Sequence, residues 1–193
     1  MDSYPEGKDS ELTPGSTGWD YATEDSQSTD VAGIGYGKGV PMGGQLDAGA
    51  RGNDRAPTFL IMAAKDPVDA NLDRIQVVKG WLDAKGVAHE KVFNVAASDS
   101  RVIRDNTLSP VGNTVDVGKA RYTNSIGASQ LAMVWTDPQF DATQSTFYYV
   151  RVLQIPTPRH SLYAAVAMKQ EHPADHPASI QERAYSSPIW YAP

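Results

Sequence analysis

Imidazole is scarce in this chain: His89, His160, His172 and His176 are its only histidines, and it has no cysteine. Of the four, only His172 and His176 are spaced to share a ligand. On a helix an H-x-x-x-H pair puts both rings on one face, where they can hold zinc. Here the residues between are Pro173-Ala174-Asp175, and Pro177 follows. Two prolines are poor support for a helix, and no glutamate stands between the histidines to act as a base. The expectation is a solvated loop, and no metal ligand is assigned. His89 opens a strand and needs no chemical role. Asp66, Asp69, Asn71 and Asp73 cluster in the run KDPVDANLD. Oxygen-rich loops can hold calcium, but the central glycine and closing glutamate of an EF-hand are missing. Asx turns, with side-chain oxygens bonding nearby backbone, are expected instead.

Charged residues near apolar elements form the second group. Asp73 beside Arg74 reads as an ion pair at a strand start, worth little if exposed. Arg159, Glu182 and Arg183 flank strongly hydrophobic segments, where an arginine either packs on an aromatic ring or lines an anion site. Ser186-Ser187 has no visible activating partner, and the G-x-S-x-G elbow is absent. The glycine-rich run VAGIGYGKGVPMGGQL, residues 31–46, superficially suggests a phosphate loop, but no Gly-Lys-Ser/Thr follows. A structured loop of tight turns is expected there, with Met42 plugging the core beneath it. No catalytic residue is assigned. The candidate ligand or interface residues are Met42, Asp73, Arg74, Arg159, Arg183 and Trp190.

The elements that must position these residues read as strands. Residues 146–156, TFYYVRVLQIP, are dense in β-branched and aromatic side chains and form the expected central strand. Phe147, Tyr149, Arg151, Leu153 and Ile155 share one face, and Tyr148, Val150, Val152 and Gln154 the other. Both faces are largely apolar, which predicts cover on both sides. Further strands are expected at 56–64, 72–82, 89–96 and 130–136, with a short irregular one at 114–122 and an interrupted last one at 180–190 around Pro188. Residues 83–86 read as a hairpin turn with Gly86 in the positive-φ position. Residues 162–168 suit a helical turn or two. The fold class expected is mainly β, an immunoglobulin-like or related antiparallel β-sandwich over 55–193. A long, irregular, polar and glycine-rich arm and loop precede it over 1–54. Trp19 and Tyr21 are that arm's strongest anchors.

Composition narrows the function classes. A chain of 193 residues is long enough for a core without staples. With a formal net charge of -6 and no basic run, nucleic-acid binding is disfavoured. No apolar run approaches the ~20 residues of a membrane helix. The opening MDSYPEGKDS lacks the basic start and apolar segment of a signal peptide, so a soluble chain of undefined compartment is expected.

Several long runs occur together and in order: GVPMGG (39–44), KDP (65–67), NLDRIQVVKGWLD (71–83), PVGNTVD (110–116), YTNSIGA (122–128), YYVRVLQIPTPR (148–159) and IQERAYSSPIWY (180–191). Together they resemble the C-terminal part of the DUF3604 family from about residue 35 onward. That resemblance implies large bacterial proteins similar to the PHP superfamily of metal-dependent hydrolases, with a histidine- and aspartate-rich centre in their N-terminal part. No Gly-Asp-x-His-x-His-like motif occurs here. The resemblance therefore implies an accessory β-sandwich that holds no cofactor itself, the divalent metal belonging to full-length relatives. Its expected partner is the N-terminal catalytic domain, or a second copy. The alternative is a free-standing module for carbohydrate or an organic anion, with Trp19, Trp81, Trp135 and Trp190 as a stacking platform.

Overall fold

The computed structural model describes residues 21–47 and 55–193. Among the described residues two helices and ten strands follow one another, after a 3-10 turn at Thr23–Gln27. The order is α1 (Val31–Lys38), β1 (Gln45–Asp47), β2 (Thr58–Ala64), β3 (Leu72–Leu82), β4 (Ala88–Ala97), β5 (Gln130–Thr136), β6 (Thr146–Gln154), β7 (Thr157–Pro158), α2 (His160–Met168), β8 (Ser179–Ile180), β9 (Arg183–Tyr185) and β10 (Ile189–Ala192). They build a mainly β, two-layer sandwich. The larger layer runs β1-β10-β6-β3-β4, with β9 also on β6; the smaller is β2-β5, and β7-β8 stands apart.

β6 holds the middle of the large sheet, as its composition predicts. It pairs antiparallel with β3 on one edge and with β10 and β9 in turn on the other. The interruption between β9 and β10 comes at Ser186–Pro188. There Ser186 does a backbone's work: its Oγ accepts from the Val150 N–H at 2.9 Å and its own N–H donates to the Val150 carbonyl at 3.0 Å. The pairings of the large sheet are antiparallel except β1 on β10, which is parallel.

The core lies between the layers. Ile75, Val77 and Tyr148 of the large sheet meet Ile61 of β2, with Phe59, Leu131, Met133 and Trp135 packed around them. Alternation along β3 explains this: Ile75, Val77 and Lys79 share the inward parity. Neither face of β6 is covered along its whole length, and Val150 and Val152 on the inner face are only partly buried. Tyr148 is buried, but Phe147, Tyr149 and Arg151 on the other face are partly exposed, because among the described residues no second layer lies over them. Apolar composition on both faces of a strand therefore overstates its cover; here the outer aromatics cover one another. The Phe147 ring lies over Gly80, where an added Cβ would come within 2.3 Å of it.

The glycine-rich run departs most from expectation. Its first half is helix α1, started by Asp30, whose carboxylate accepts from the Gly33 N–H at 3.0 Å. The expected tight turn comes afterwards: Gly44 N–H donates to the Pro41 carbonyl at 2.9 Å, with Gly43 at φ 90. Leu46 of β1 then packs on Tyr191. These residues fill the space beneath, so Met42 does not plug the core and stands 64 % exposed. Residues 114–122 form no strand; a turn closed by one bridge, Asp116 to Arg121, stands there. Helix α2 begins at His160, two residues before the apolar run, because Arg159 is its extended N-terminal flank.

Candidate functional site

Three arrangements of side chains stand out, and two of them are networks of polar side chains. The first is a polar knot at the end of β3. Asp73 is 1 % exposed, and its partner is Arg101, which reaches both its carboxylate and its carbonyl; Gln181 donates to the other carboxylate oxygen at 2.8 Å. Arg74, its expected partner, lies 3.7 Å away, with its Nε buried and without a hydrogen bond. The expected ion pair is therefore present but long, and Arg101, arriving from the loop after β4, makes the closer contact. Asp69 accepts from Gln154, the Ala70 N–H and Tyr122. The Gln154 bond is the main cause that holds its carboxyl below the usual range. Asn71 pins the 122–128 segment through the carbonyls of Asn124 and Ile126. Lys65 gives its ammonium to the carbonyls of Asp66, Pro67 and Asp69. Asp66 accepts from the Val68 N–H, the Asx turn expected.

The second is a buried triad between the layers. Asp137 Oδ2 accepts from Lys79 Nζ at 2.6 Å and from the Tyr148 hydroxyl at 2.7 Å; its Oδ1 accepts from the Gln139 N–H at 2.8 Å. Lys79 also donates to the Gln139 carbonyl at 2.6 Å and sits over the rings of Trp81 and Tyr148. Burial, then the neighbouring carboxylate, pushes the Tyr148 phenol well above its ordinary range. Each polar atom is answered by another, so the triad fastens the β5–β6 turn to β3 rather than facing a substrate. Sequence reasoning missed it, although Lys79 carried a signal as a charge between the apolar inward positions of β3.

The third is open. A groove of about 500 Å³ runs between α1 and the free side of β2 above, and β6 and the β9–β10 segment below. Phe59 to Met62, Val150, Val152 and Ile189 form its walls, with Met42 and Tyr185 at its rim. Among the described residues none of its lining side chains is charged. Tyr21 closes one end, its hydroxyl donating to the Gly35 carbonyl at 3.0 Å. Beside it, the outer face of the large sheet carries an aromatic row. Trp190 meets Phe147 at 5.2 Å, Phe147 stacks on Tyr149 at 6.3 Å, and Tyr149 meets Tyr185 at 6.1 Å.

The structure does not gather the six sequence candidates into one place. Met42 lies on the groove and Trp190 on the aromatic row. Asp73 and Arg74 belong to the knot. Arg183 is exposed on β9, and Arg159 serves α2 through its carbonyl, which accepts from Leu162 and Tyr163. Trp81 and Trp135 are half-buried, while Trp190 is 50 % exposed; Trp19 and Arg51 lie outside the described residues. His172 and His176 occupy a loop, as expected. His172 shares a 2.9 Å hydrogen bond with Ser161, a contact the sequence did not suggest. Among the described residues no three histidine, aspartate or glutamate side chains converge to hold a metal. The divalent metal implied by the resemblance therefore has no fitting donor set in these residues.

The DUF3604 family model, described as a protein of unknown function, matches residues 16–193, and the chain belongs to that family. No curated protein and no solved structure matches it. None of the described helices is long and apolar enough to cross a membrane.

Proposed function

We propose that this chain is a non-catalytic accessory β-sandwich of a PHP-like metal-dependent hydrolase, and that its uncharged groove packs against the catalytic domain. One observation carries the reading. The runs GVPMGG, YYV and AYSSPI, which carry the family resemblance, meet on the groove, and among the described residues they bring it largely apolar walls without a charged side chain. The runs at 71–83, 122–128, 148–159 and 180–191 meet in the polar knot, where Gln181 donates to Asp73 and to the Gln154 carbonyl and Asn71 to the Ile126 carbonyl. Apolar surface of this kind suits a protein partner and suits neither acid–base chemistry nor anion recognition. The test is hydrolysis of p-nitrophenyl phosphate and its phosphodiester analogue by the purified chain with added zinc or manganese. No metal-dependent turnover is expected. Turnover that scales with chain concentration overturns the reading.

A second reading rests on the aromatic row. Trp190, Phe147, Tyr149 and Tyr185 offer ring faces beside Arg151, an arrangement that suits stacking of sugar rings. Titration with soluble oligosaccharides, followed by Trp190 fluorescence, discriminates: saturable quenching lost in Trp190→Ala supports a carbohydrate module, and a flat response excludes it.

A further inference from the structure

The hydrogen-bond alternation of β2 is fixed by its two ends. Asp137 N–H donates to the Pro57 carbonyl at 3.1 Å, and Lys65 N–H to the Ser129 carbonyl at 2.9 Å. With the register Thr58 to Thr136 through Ala64 to Gln130, Phe59, Ile61 and Ala63 exchange bonds with β5. Thr58, Leu60, Met62 and Ala64 then aim their N–H and C=O groups the other way. No described strand pairs with β2 on that side. Leu60 and Met62 both line the groove, and among the described residues their backbone groups have no partner. The strand TFLIMAA carries no charge, proline or glycine, the devices that ordinarily blunt an open edge.

We infer that this edge takes an added strand: an extended segment of the catalytic partner lies in the groove and turns β2-β5 into a three-stranded layer. The inference rests on the accessory reading and names how the partner is held. Donors and acceptors repeating every second residue, roughly 6.7 Å apart, are matched by another extended backbone and not by a lipid or a rounded small molecule. Alternate side chains of that segment would face Val150 and Val152, so they are apolar. A second copy is the poorer occupant. The large sheet extends beyond β2 through β9, β10 and β1. A two-fold pairing of β2 edges would drive those strands of the two copies together. The chain's own runs outside the described residues, 1–20 and 48–54, are broken by Pro5, Pro14 and several glycines and contain no alternating apolar run.

The probe is a capped peptide the length of β2, seven residues, with alternating valine and threonine between terminal lysines. Two further versions carry N-methyl groups on one or the other alternate set of amides. Binding is followed by fluorescence polarisation, and amide exchange by NMR on the full chain. Saturating peptide should slow Leu60 and Met62 exchange at least about tenfold and leave Phe59 and Ile61 unchanged. One methylation pattern should abolish binding and the other preserve it. Met62→Pro removes an outward N–H without touching the bonds to β5, and should weaken binding about tenfold with an unchanged circular dichroism spectrum. No binding, equal binding of both methylated peptides, or binding without slowed exchange each overturns the inference. The two readings fail separately. A catalytic domain that binds without protecting Leu60 and Met62 removes strand addition and leaves the accessory role. A chain that takes the peptide but ignores the catalytic domain does the reverse.

Discussion

Replacing Asp137 by alanine removes the acceptor on which three donors converge. The Asp137 side chain is 0 % exposed and that of Lys79 is 3 % exposed, so water cannot replace the lost carboxylate. The Lys79 ammonium keeps one acceptor, the Gln139 carbonyl, and the Tyr148 hydroxyl loses its partner. Breaking a buried ion pair from one side costs about 3–5 kcal/mol, because a charge is left uncompensated. For a chain of this size each kcal/mol lowers the melting temperature by about 2–4 °C, so Asp137→Ala should melt roughly 6–20 °C lower. Lys79→Met leaves the carboxylate stranded and should lose a similar amount. The double variant strands neither charge, so it should be more stable than the sum of the single losses predicts, by about 2–3 kcal/mol. Calorimetry and urea unfolding of the four proteins measure the cycle. A loss below about 1 kcal/mol in Asp137→Ala, or strict additivity, would refute the triad as a buried fastening between the layers.

Two pH effects and one substitution follow from the same geometry. The raised phenol of Tyr148 stays protonated in the fold while an unfolded tyrosine ionises near pH 10, so stability falls as pH rises above that value. In absorbance titration at alkaline pH its phenolate should appear only with unfolding, a component missing from Tyr148→Phe. The lowered carboxyl of Asp69 works the other way: its contribution is present above about pH 4 and is lost as pH falls through the folded value. Asp69→Asn should flatten the acid limb of the stability curve. Gly127 has φ 80, and an added Cβ would lie 2.9 Å from the Leu72 carbonyl, so Gly127→Ala should cost about 2–4 kcal/mol by urea unfolding.

The strands were legible because their signal is local. β3 and β5 begin and end where alternation and turn residues place them, and β6 stops two residues short of Pro156. Helix α1 was hidden by its glycines, since three in eight residues weaken any helical signal; Asp30 capping and the Tyr21 hydroxyl on the Gly35 carbonyl hold it. The site was less legible because its parts are brought together by pairing. Arg101 reaches Asp73 across 28 positions, and Lys79 reaches Asp137 across 58, distances at which spacing carries no information. The groove depends on which edge of β2 remains open, and that is set by the choice of β5 as its partner.

The most direct measurement is light scattering of the chain mixed with the catalytic domain that the proposal assigns to longer members of its family. It is made with the wild-type chain and with Val150→Asp, which places a charge on the groove wall. A one-to-one complex with the wild type and none with the variant is the expected result. Failure of the wild-type chain to associate, or equal association of both chains, would contradict the groove as the docking face.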